Sequence, residues 1–202
     1  QRPLRMYNSA FMVDPGGETA AVYRKIHLVP FGEYIPFRGV ASFVSPLVES
    51  LGEFAPGESM VMLPVVRPDG NHLISTAICY EVVYPSLVRQ AVEGGSQLLT
   101  TITNDAWYGQ SSAPYQHFAM ASMRAIEQGR YLARAANTGI SGVVDPYGRV
   151  VSQSAIFEQV GLVEEVRLLT GRTIYGAIGD AIAYVSIALI GIALITTGRR
   201  RS

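Results

Sequence analysis

The feature that most limits how this chain can fold is an uncharged apolar run near its C-terminal end, residues 181–197. At ~1.5 Å rise per residue a helix over this run is about 26 Å long, close to the hydrocarbon thickness of a bilayer. Arg199, Arg200 and Arg201 follow it directly, and basic flanks favour the cytoplasmic side. The sequence therefore predicts a transmembrane helix over 173–198 and a cytoplasmic basic tail over 199–202. A buried core helix is the alternative.

The preceding residues, 1–172, have the length of one domain. Hydrophobic residues make up 49% of the chain and charged residues 16%, and the formal net charge is zero. Such a balance gives no basic surface for nucleic acid. The chain starts with Gln1, and no charged segment followed by an apolar one comes after it. We therefore expect the domain to be incomplete at its N-terminal side.

Short strands alternate with helices along residues 1–172. Residues 4–13 and 19–25 flank the turn-forming sequence DPGG and predict a β-hairpin. The apolar run 73–79 predicts a buried strand, followed by a helix that Pro85 begins and Gly94 ends. Further predicted strands are 97–103, 131–136, 139–145 and 160–166, with a helix over 114–128 and an apolar loop or short helix over 37–58. The predicted class is α/β.

Cys79 is the single cysteine and lies at the predicted junction of strand and helix. A lone cysteine is either a small buried hydrophobe or a reactive thiol, and no internal disulfide can form. The reactive form is the thiolate, which a nearby cation, a base or a helix N-terminus favours. The helix begun by Pro85 and the side chain of Lys25 are the candidates for that role.

Four groups of motifs occur in order along the chain. They are YRKIHLVPFGEYIPF at 23–37, ICYE at 78–81, TNDAWYG at 103–109 with QH at 116–117 and MRAIE at 123–127, and RAANTGIS at 134–141 with DPYGR at 145–149. Together they resemble the nitrilase, or carbon-nitrogen hydrolase, superfamily. Through GEYIPF and CYE they are similar to its apolipoprotein N-acyltransferase branch.

The resemblance implies a nitrilase-like α-β-β-α sandwich and a set of site residues. Cys79 would be the nucleophile and Lys25 the oxyanion stabiliser, with Glu33 as a second glutamate that holds Lys25 or the attacking amine. Glu81 would orient its neighbours, and Tyr80 and Trp107 would be pocket walls. The glutamate that serves the family as general base is expected upstream of this chain, so the chain alone is expected to be inactive.

The histidines are weaker candidates. His27 lies two residues after Lys25, where a structural hydrogen bond is a more common role than catalysis. His72 and His117 have no cysteine or acid at metal-ligand spacing. We therefore expect neither a metal nor a cofactor.

The implied reaction is two-step acyl transfer at the bacterial inner membrane. A phospholipid would give its acyl chain to Cys79, and the N-terminal amine of a diacylated lipoprotein would then accept it. The implied partners are thus a phospholipid, a lipoprotein and the membrane, without nucleic acid. Two alternatives stay open. One is a carbon-nitrogen hydrolase that uses water as the second nucleophile, and the other is a non-catalytic fragment.

Overall fold

The computed structural model describes residues 5–34 and 54–199, so most of the predicted loop at 37–58 lies outside the described residues. The chain begins with the predicted hairpin, formed by strands β1 (Ser9–Val13) and β2 (Thr19–Arg24). The Asp14 carboxylate accepts the backbone N–H groups of Gly16 and Glu18 in the turn. Aspartate stabilises turns in this way, and the hairpin prediction is confirmed.

A second, six-stranded sheet follows, and its strands lie side by side in chain order. They are β3 (Leu63–Arg67), β4 (Gly70–Ile78), β5 (Leu99–Asn104), β6 (Leu132–Asn137), β7 (Gly142–Val144) and β8 (Val150–Gln153). Strands β4, β5 and β6 are parallel, and the other neighbouring pairs are antiparallel. The carboxyl ends of β4, β5 and β6 therefore meet at one edge of the sheet, where ligand sites of parallel sheets commonly lie.

The helices α1 (Pro85–Glu93) and α2 (Ala113–Gln128) begin and end as predicted. Each has a proline in its first turn, where the missing N–H removes no helical hydrogen bond. Gly129 closes α2 with a left-handed φ of 61°, and its N–H bonds to the carbonyls of Ala125 and Ile126. A glycine adopts this conformation without steric cost. Two of the predicted helices are thus confirmed.

Two hydrophobic clusters hold the fold together. The larger lies between α1, α2 and the sheet and contains Val88, Phe118 and Leu132. The smaller joins the β1–β2 hairpin to the sheet through Tyr23, Leu63 and Ile78. Since Cys79 packs against the smaller cluster, apolar burial brings the hairpin that carries Lys25 against the strand that ends at the cysteine.

The structure corrects two sequence predictions of secondary structure. Residues 160–166 form no strand, although they contain several apolar side chains. Val163 is 94% exposed, and the segment has no strand partner among the described residues. The sequence also left β3 unassigned. The Asp69-Gly70 turn with a φ of 137° at Gly70 forms the β3–β4 hairpin.

The predicted transmembrane helix over 173–198 is not supported. In ranges 5–34 and 54–199, no helix has both the length and the apolar character needed to cross a membrane. The segment forms two helices, α3 (Ile174–Ile178) and α4 (Ala181–Arg199), where one was expected. Gly179 has a positive φ of 55° and ends α3, because a left-handed residue interrupts the helical hydrogen bonds.

Candidate active site

Cys79 lies immediately after β4 and has a left-handed backbone, with φ of 56°. A non-glycine residue pays roughly 1–2 kcal/mol for this conformation, and such strained residues concentrate at functional sites. A 3₁₀ helix, Cys79–Val83, follows and separates the cysteine from α1. The N-terminus of the helix that Pro85 begins was a candidate for favouring the thiolate, but this 3₁₀ helix lies between it and the end of β4. The strained turn presents the thiol at the sheet edge.

Glu81 holds this turn from the inside, with its side chain fully buried. Its Oε2 accepts the backbone N–H of Ile78 at 2.8 Å. Its Oε1 accepts the backbone N–H groups of Ile26 at 2.7 Å and His27 at 3.0 Å, and the phenol of Tyr23 at 2.9 Å. The carboxylate thus connects the residue before the cysteine to the residues on both sides of Lys25.

This geometry refines the sequence-based view of Glu81. The family resemblance implies only that Glu81 orients its neighbours. The 3₁₀ helix points the carboxylate inward, where it receives four donors. Burial, followed by the charge of Glu81, raises the pKa of Tyr23. The phenol therefore remains a hydrogen-bond donor.

Lys25 is also buried, at 1% exposure, and its Nζ lies 2.6 Å from Oε2 of Glu33. Glu33 accepts two further hydrogen bonds, from the Val29 backbone N–H at 2.8 Å and from Nδ2 of Asn8 at 3.0 Å. Burial by itself raises the pKa of Glu33, but the hydrogen bonds from Lys25, Val29 and Asn8 hold it below its ordinary value. The pair is therefore a charge-assisted contact between ionised partners.

Asn8 is a site residue that sequence reasoning missed. Besides its side-chain bond to Glu33, its backbone carbonyl accepts the N–H of Lys25 at 2.8 Å. An asparagine next to a β-strand carries no sequence signal for this position. Only the pairing of β1 with β2 brings it beside Lys25.

A row of aromatic rings runs past the cysteine turn. Tyr80, half-exposed, has its ring centroid 5.9 Å from that of Tyr84 and 6.3 Å from that of His117. The row ends with His27, which lies 4.5 Å from Tyr84, and with Tyr108, which lies 6.1 Å from His117. We call these five rings the aromatic row. Because Tyr80 follows Cys79 directly in the chain, the row begins next to the cysteine.

The other predicted wall residue, Trp107, has a different environment. Its side chain is 77% exposed, so the described residues do not enclose it in a pocket. It lies in the 3₁₀ helix Asp105–Tyr108 that follows β5. Its position at the sheet edge where Cys79 lies agrees with the prediction of a pocket wall, but its exposure does not.

The histidines have structural partners. His72 contacts Gln97 and Asp69, and the exposed His27 stacks on Tyr84. His117 is buried against Asp105 and Arg134. Within residues 5–34 and 54–199, no three His, Cys, Asp or Glu side chains form a group that could hold a metal ion.

Comparisons with known proteins agree with this geometry. The family model of carbon-nitrogen hydrolases matches residues 2–173. An apolipoprotein N-acyltransferase from Geobacter metallireducens is 41% identical over 199 residues, which cover 98% of this chain and 37% of that protein. Another from Agrobacterium fabrum is 37% identical over 185 residues, covering 91% of this chain and 33% of that protein. The chain thus spans about a third of the length of these curated relatives.

Solved structures show the same likeness. A mutant amidase from Nesterenkonia sp. AN1, with an acetamide moiety covalently added at its active-site cysteine, matches with a TM-score of 0.52 and 28% identity. The match covers 73% of this chain and 51% of the amidase. The nitrilase-like α/β fold expected from the sequence is confirmed. The chain therefore belongs to the carbon-nitrogen hydrolase family.

Proposed function

We propose that this chain supplies the nucleophile and the oxyanion-stabilising cation of an apolipoprotein N-acyltransferase. The observation that carries the proposal is the linkage of the strained Cys79 turn to the Lys25 segment by the buried carboxylate of Glu81. The relatives named apolipoprotein N-acyltransferase support the choice of reaction. Residues 1–172 form the catalytic domain in this proposal.

In the first step, the Cys79 thiolate attacks the carbonyl carbon of a phospholipid ester. A C–S bond forms, and the C–O bond breaks when the tetrahedral intermediate collapses. The lysophospholipid leaves as an alcohol after it takes up a proton, and the acyl chain stays on Cys79 as a thioester. The Lys25 ammonium group stabilises the negative oxygen of the intermediate.

In the second step, the free amine of a diacylglyceryl-cysteine at the lipoprotein N-terminus attacks the thioester. A C–N bond forms, the C–S bond breaks, and the sulfur takes up a proton as the amine loses one. A general base must receive the amine proton. Because Glu33 and Glu81 already accept several hydrogen bonds, we assign this base to the glutamate that the family resemblance places upstream of this chain.

Glu33 has the supporting role of holding the Lys25 ammonium group in one place. A buried lysine with one short charge-assisted contact loses little further freedom when the oxyanion forms. Tyr80 and the rest of the aromatic row form the wall along which the acyl chain lies. Trp107, at the mouth of the site, contacts the lipid substrate as it enters.

The proposal is tested in the complete protein with a phospholipid that carries a labelled acyl chain. The native protein should acquire label that hydroxylamine releases, as expected for a thioester. Cys79→Ala should acquire none, whereas Cys79→Ser should retain any label only as an ester resistant to mild hydroxylamine. Undiminished hydroxylamine-sensitive label on Cys79→Ala would contradict the assignment of the nucleophile.

Amide hydrolysis is the second candidate, and the match to the Nesterenkonia amidase favours it. The two reactions share the attack by Cys79 but differ in the second nucleophile, which is water in the hydrolase and the lipoprotein amine in the acyltransferase. A diacylated lipopeptide should therefore discharge the labelled thioester as an N-acyl product. Release of free fatty acid at the same rate with and without the lipopeptide would indicate a hydrolase.

The proposal places the enzyme at the bacterial inner membrane, where both substrates are lipid-bound. Apolar side chains cover α4 on all sides, and Ile187, Ile190 and Leu194 are each about 60% or more exposed. The finer part of this proposal is that the catalytic domain lies on the periplasmic side of that membrane.

Co-sedimentation with vesicles of phosphatidylethanolamine and phosphatidylglycerol tests this placement. Removal of residues 181–199 should abolish binding. Ile190→Asp, in the middle of α4, should weaken it more than Thr197→Asp near the end, because a charge is most costly at the centre of an apolar layer. Equal binding of all three variants and the native protein would contradict a role of α4 in membrane contact.

A further inference from the structure

A buried charged cluster lies one strand away from the cysteine, and the mechanism described above uses it only through the His117 ring of the aromatic row. It consists of Asp105, His117 and Arg134, which are 1%, 3% and 4% exposed. Asp105 follows β5, Arg134 lies in β6, and His117 lies in α2. Ionisable side chains from three separate elements thus meet near the carboxyl edge of the sheet.

The Asp105 carboxylate is the centre of this cluster. Its Oδ2 accepts from Nη2 of Arg134 at 2.7 Å, and its Oδ1 accepts from Oγ1 of Thr103 at 2.9 Å. Nδ1 of His117 lies 3.1 Å from Oδ1. Burial by itself raises the pKa of Asp105, but the contacts with His117, Arg134 and Thr103 hold it below its ordinary value. The carboxylate is therefore ionised at neutral pH.

The contacts also assign the proton of His117. Its Nδ1 lies 3.1 Å from Nη2 of Arg134 as well as from Asp105. A guanidinium only donates and an ionised carboxylate only accepts, so Nδ1 can satisfy one of them. Arg134 already donates to Asp105, which leaves the Nδ1 proton for the Asp105 oxygen. In a neutral imidazole with this tautomer, Nε2 of His117 is an acceptor.

Two atoms of the cluster are left without a hydrogen bond among the described residues. They are Nε2 of His117 and Nη1 of Arg134, both buried. Buried polar networks that serve stability alone are normally fully satisfied. A buried ion pair is also a weak source of stability, because desolvation offsets most of the attraction. Stability alone therefore explains the cluster poorly, which leaves room for a second role.

The position of the cluster indicates that role. The His117 ring lies between Tyr80, which follows the nucleophile, and Tyr108. Asp105 begins the 3₁₀ helix that carries Trp107 and Tyr108.

The loop after β6 closes the cluster from the other side. The backbone of Gly139 comes so near to Asp105 that a Cβ at position 139 would lie 2.2 Å from Oδ2. A side chain there would displace the carboxylate, since real contacts of this kind are much longer. The cluster thus contacts the aromatic row, the 3₁₀ helix that follows β5 and the loop that follows β6.

We propose that Asp105, His117 and Arg134 are positioning residues for the acyl transfer proposed above, on which this inference rests. Through His117 they fix the Tyr80 and Tyr108 rings, and through Asp105 they fix the helix Asp105–Tyr108. The acyl group is then seated in one orientation against Cys79. Misplacement of reacting groups by about 1 Å lowers a rate by up to about a hundredfold.

Two buried arginines provide a matched comparison for the test. Arg134 bonds to Asp105 in the cluster, whereas Arg130 bonds to the backbone carbonyls of Ser96, Gln128, Gly129 and Gly171. Arg134→Lys and Arg130→Lys each retain a positive charge and lose the planar fork of donors. Both variants should have lower unfolding temperatures than the native protein.

The measurements are kcat and KM for thioester formation from labelled phospholipid in the complete protein. For Arg134→Lys, kcat should fall about tenfold to a hundredfold, with KM within about twofold of the native value. For Arg130→Lys, kcat should stay within about twofold of the native value. If kcat falls equally in both variants, or in neither, the cluster is structural and the inference is wrong.

The rate of alkylation of Cys79 by iodoacetamide separates this inference from the proposed function, since it needs no acyl donor. Arg134→Lys should change this rate, because Tyr80 and Tyr108 no longer hold one arrangement around the thiol, while Arg130→Lys should not. If the native protein forms no thioester but the alkylation rates differ in this way, the proposed function is wrong and the positioning role stands. Equal alkylation rates in both variants and the native protein would overturn the positioning role.

Discussion

The phenol of Tyr23 donates a 2.9 Å hydrogen bond to Oε1 of Glu81, 58 residues later in the chain. Both side chains are fully buried. The same carboxylate accepts the N–H of Ile78, the last residue before Cys79. One buried side chain therefore links the segment around Lys25, at the end of β2, to the turn that carries the cysteine.

Glu81→Gln should lower the free energy of unfolding by about 3 kcal/mol. The amide has the shape of the carboxylate, but its NH₂ group faces N–H donors, so buried donors lose their acceptor. Urea unfolding of the complete protein measures the change. Glu93→Gln is the control, because Glu93 is half-exposed and pairs with Arg89 at the surface, where such pairs contribute about 0–1 kcal/mol. Equal stability of Glu81→Gln and the native protein would show that the carboxylate is not the link.

Lys25→Met should lower the rate of thioester formation by about two to three orders of magnitude, the usual effect of losing one oxyanion donor. Methionine fills a similar volume, so the fold should persist. The neighbouring Arg24→Met serves as a control, because Arg24 is exposed and lies over the Tyr7 ring. Its rate should be close to that of the native protein. Near-native turnover of Lys25→Met would mean that the lysine is only structural.

Glu33 should contribute to stability at neutral pH and lose that contribution in acid. Its pKa in the folded protein lies below the ordinary value, despite burial, because Lys25, Val29 and Asn8 donate to it. The stabilisation is therefore fully present above the unfolded pKa of about 4.3 and disappears as the pH falls through the folded pKa.

The difference in unfolding free energy between the native protein and Glu33→Gln measures this contribution. We expect it to be constant between about pH 6 and 7 and to shrink below about pH 4. The exposed Glu164→Gln should show little difference at any pH. A difference for Glu33→Gln that persists unchanged in acid would mean that the ion pair with Lys25 is not its source.

The parts of the fold that the sequence predicted well are those with local signals. The DPGG turn, the prolines at the starts of α1 and α2 and the glycine after α2 each act through their own backbone preferences. The wrong assignments have two causes, a missing strand partner and a single glycine. Residues 160–166 have apolar residues typical of a strand but lack a neighbouring strand among the described residues, and Gly179 divides a segment whose composition suggested one helix.

The candidate site likewise has contacts that the sequence predicted and contacts that it did not. The contact of Glu33 with Lys25 was predicted, because the resemblance placed the two residues in one motif. The inward turn of Glu81 was not, since it depends on a 3₁₀ helix that only packing against the hairpin selects. Asp105 and Arg134 were also missed as a pair. They are 29 residues apart. From the sequence pattern alone, an arginine in a short strand is predicted to be exposed.

Residues 1–202 expressed alone should bind vesicles but should not acylate a lipopeptide. Binding is expected from the exposed apolar side chains of α4. Acylation requires a base for the amine proton. The described carboxylates around the site each already accept hydrogen bonds from protein donors; they are Glu33, Glu81 and Asp105.

The assay mixes the chain with labelled phospholipid vesicles and a diacylated lipopeptide, and it follows both co-sedimentation and N-acyl product. The complete protein is the positive control. Residues 1–202 could instead form N-acyl product at a rate near that of the complete protein. In that case one of these carboxylates, or a residue at 35–53, takes the proton. The assignment of the base to another part of the protein would then be wrong.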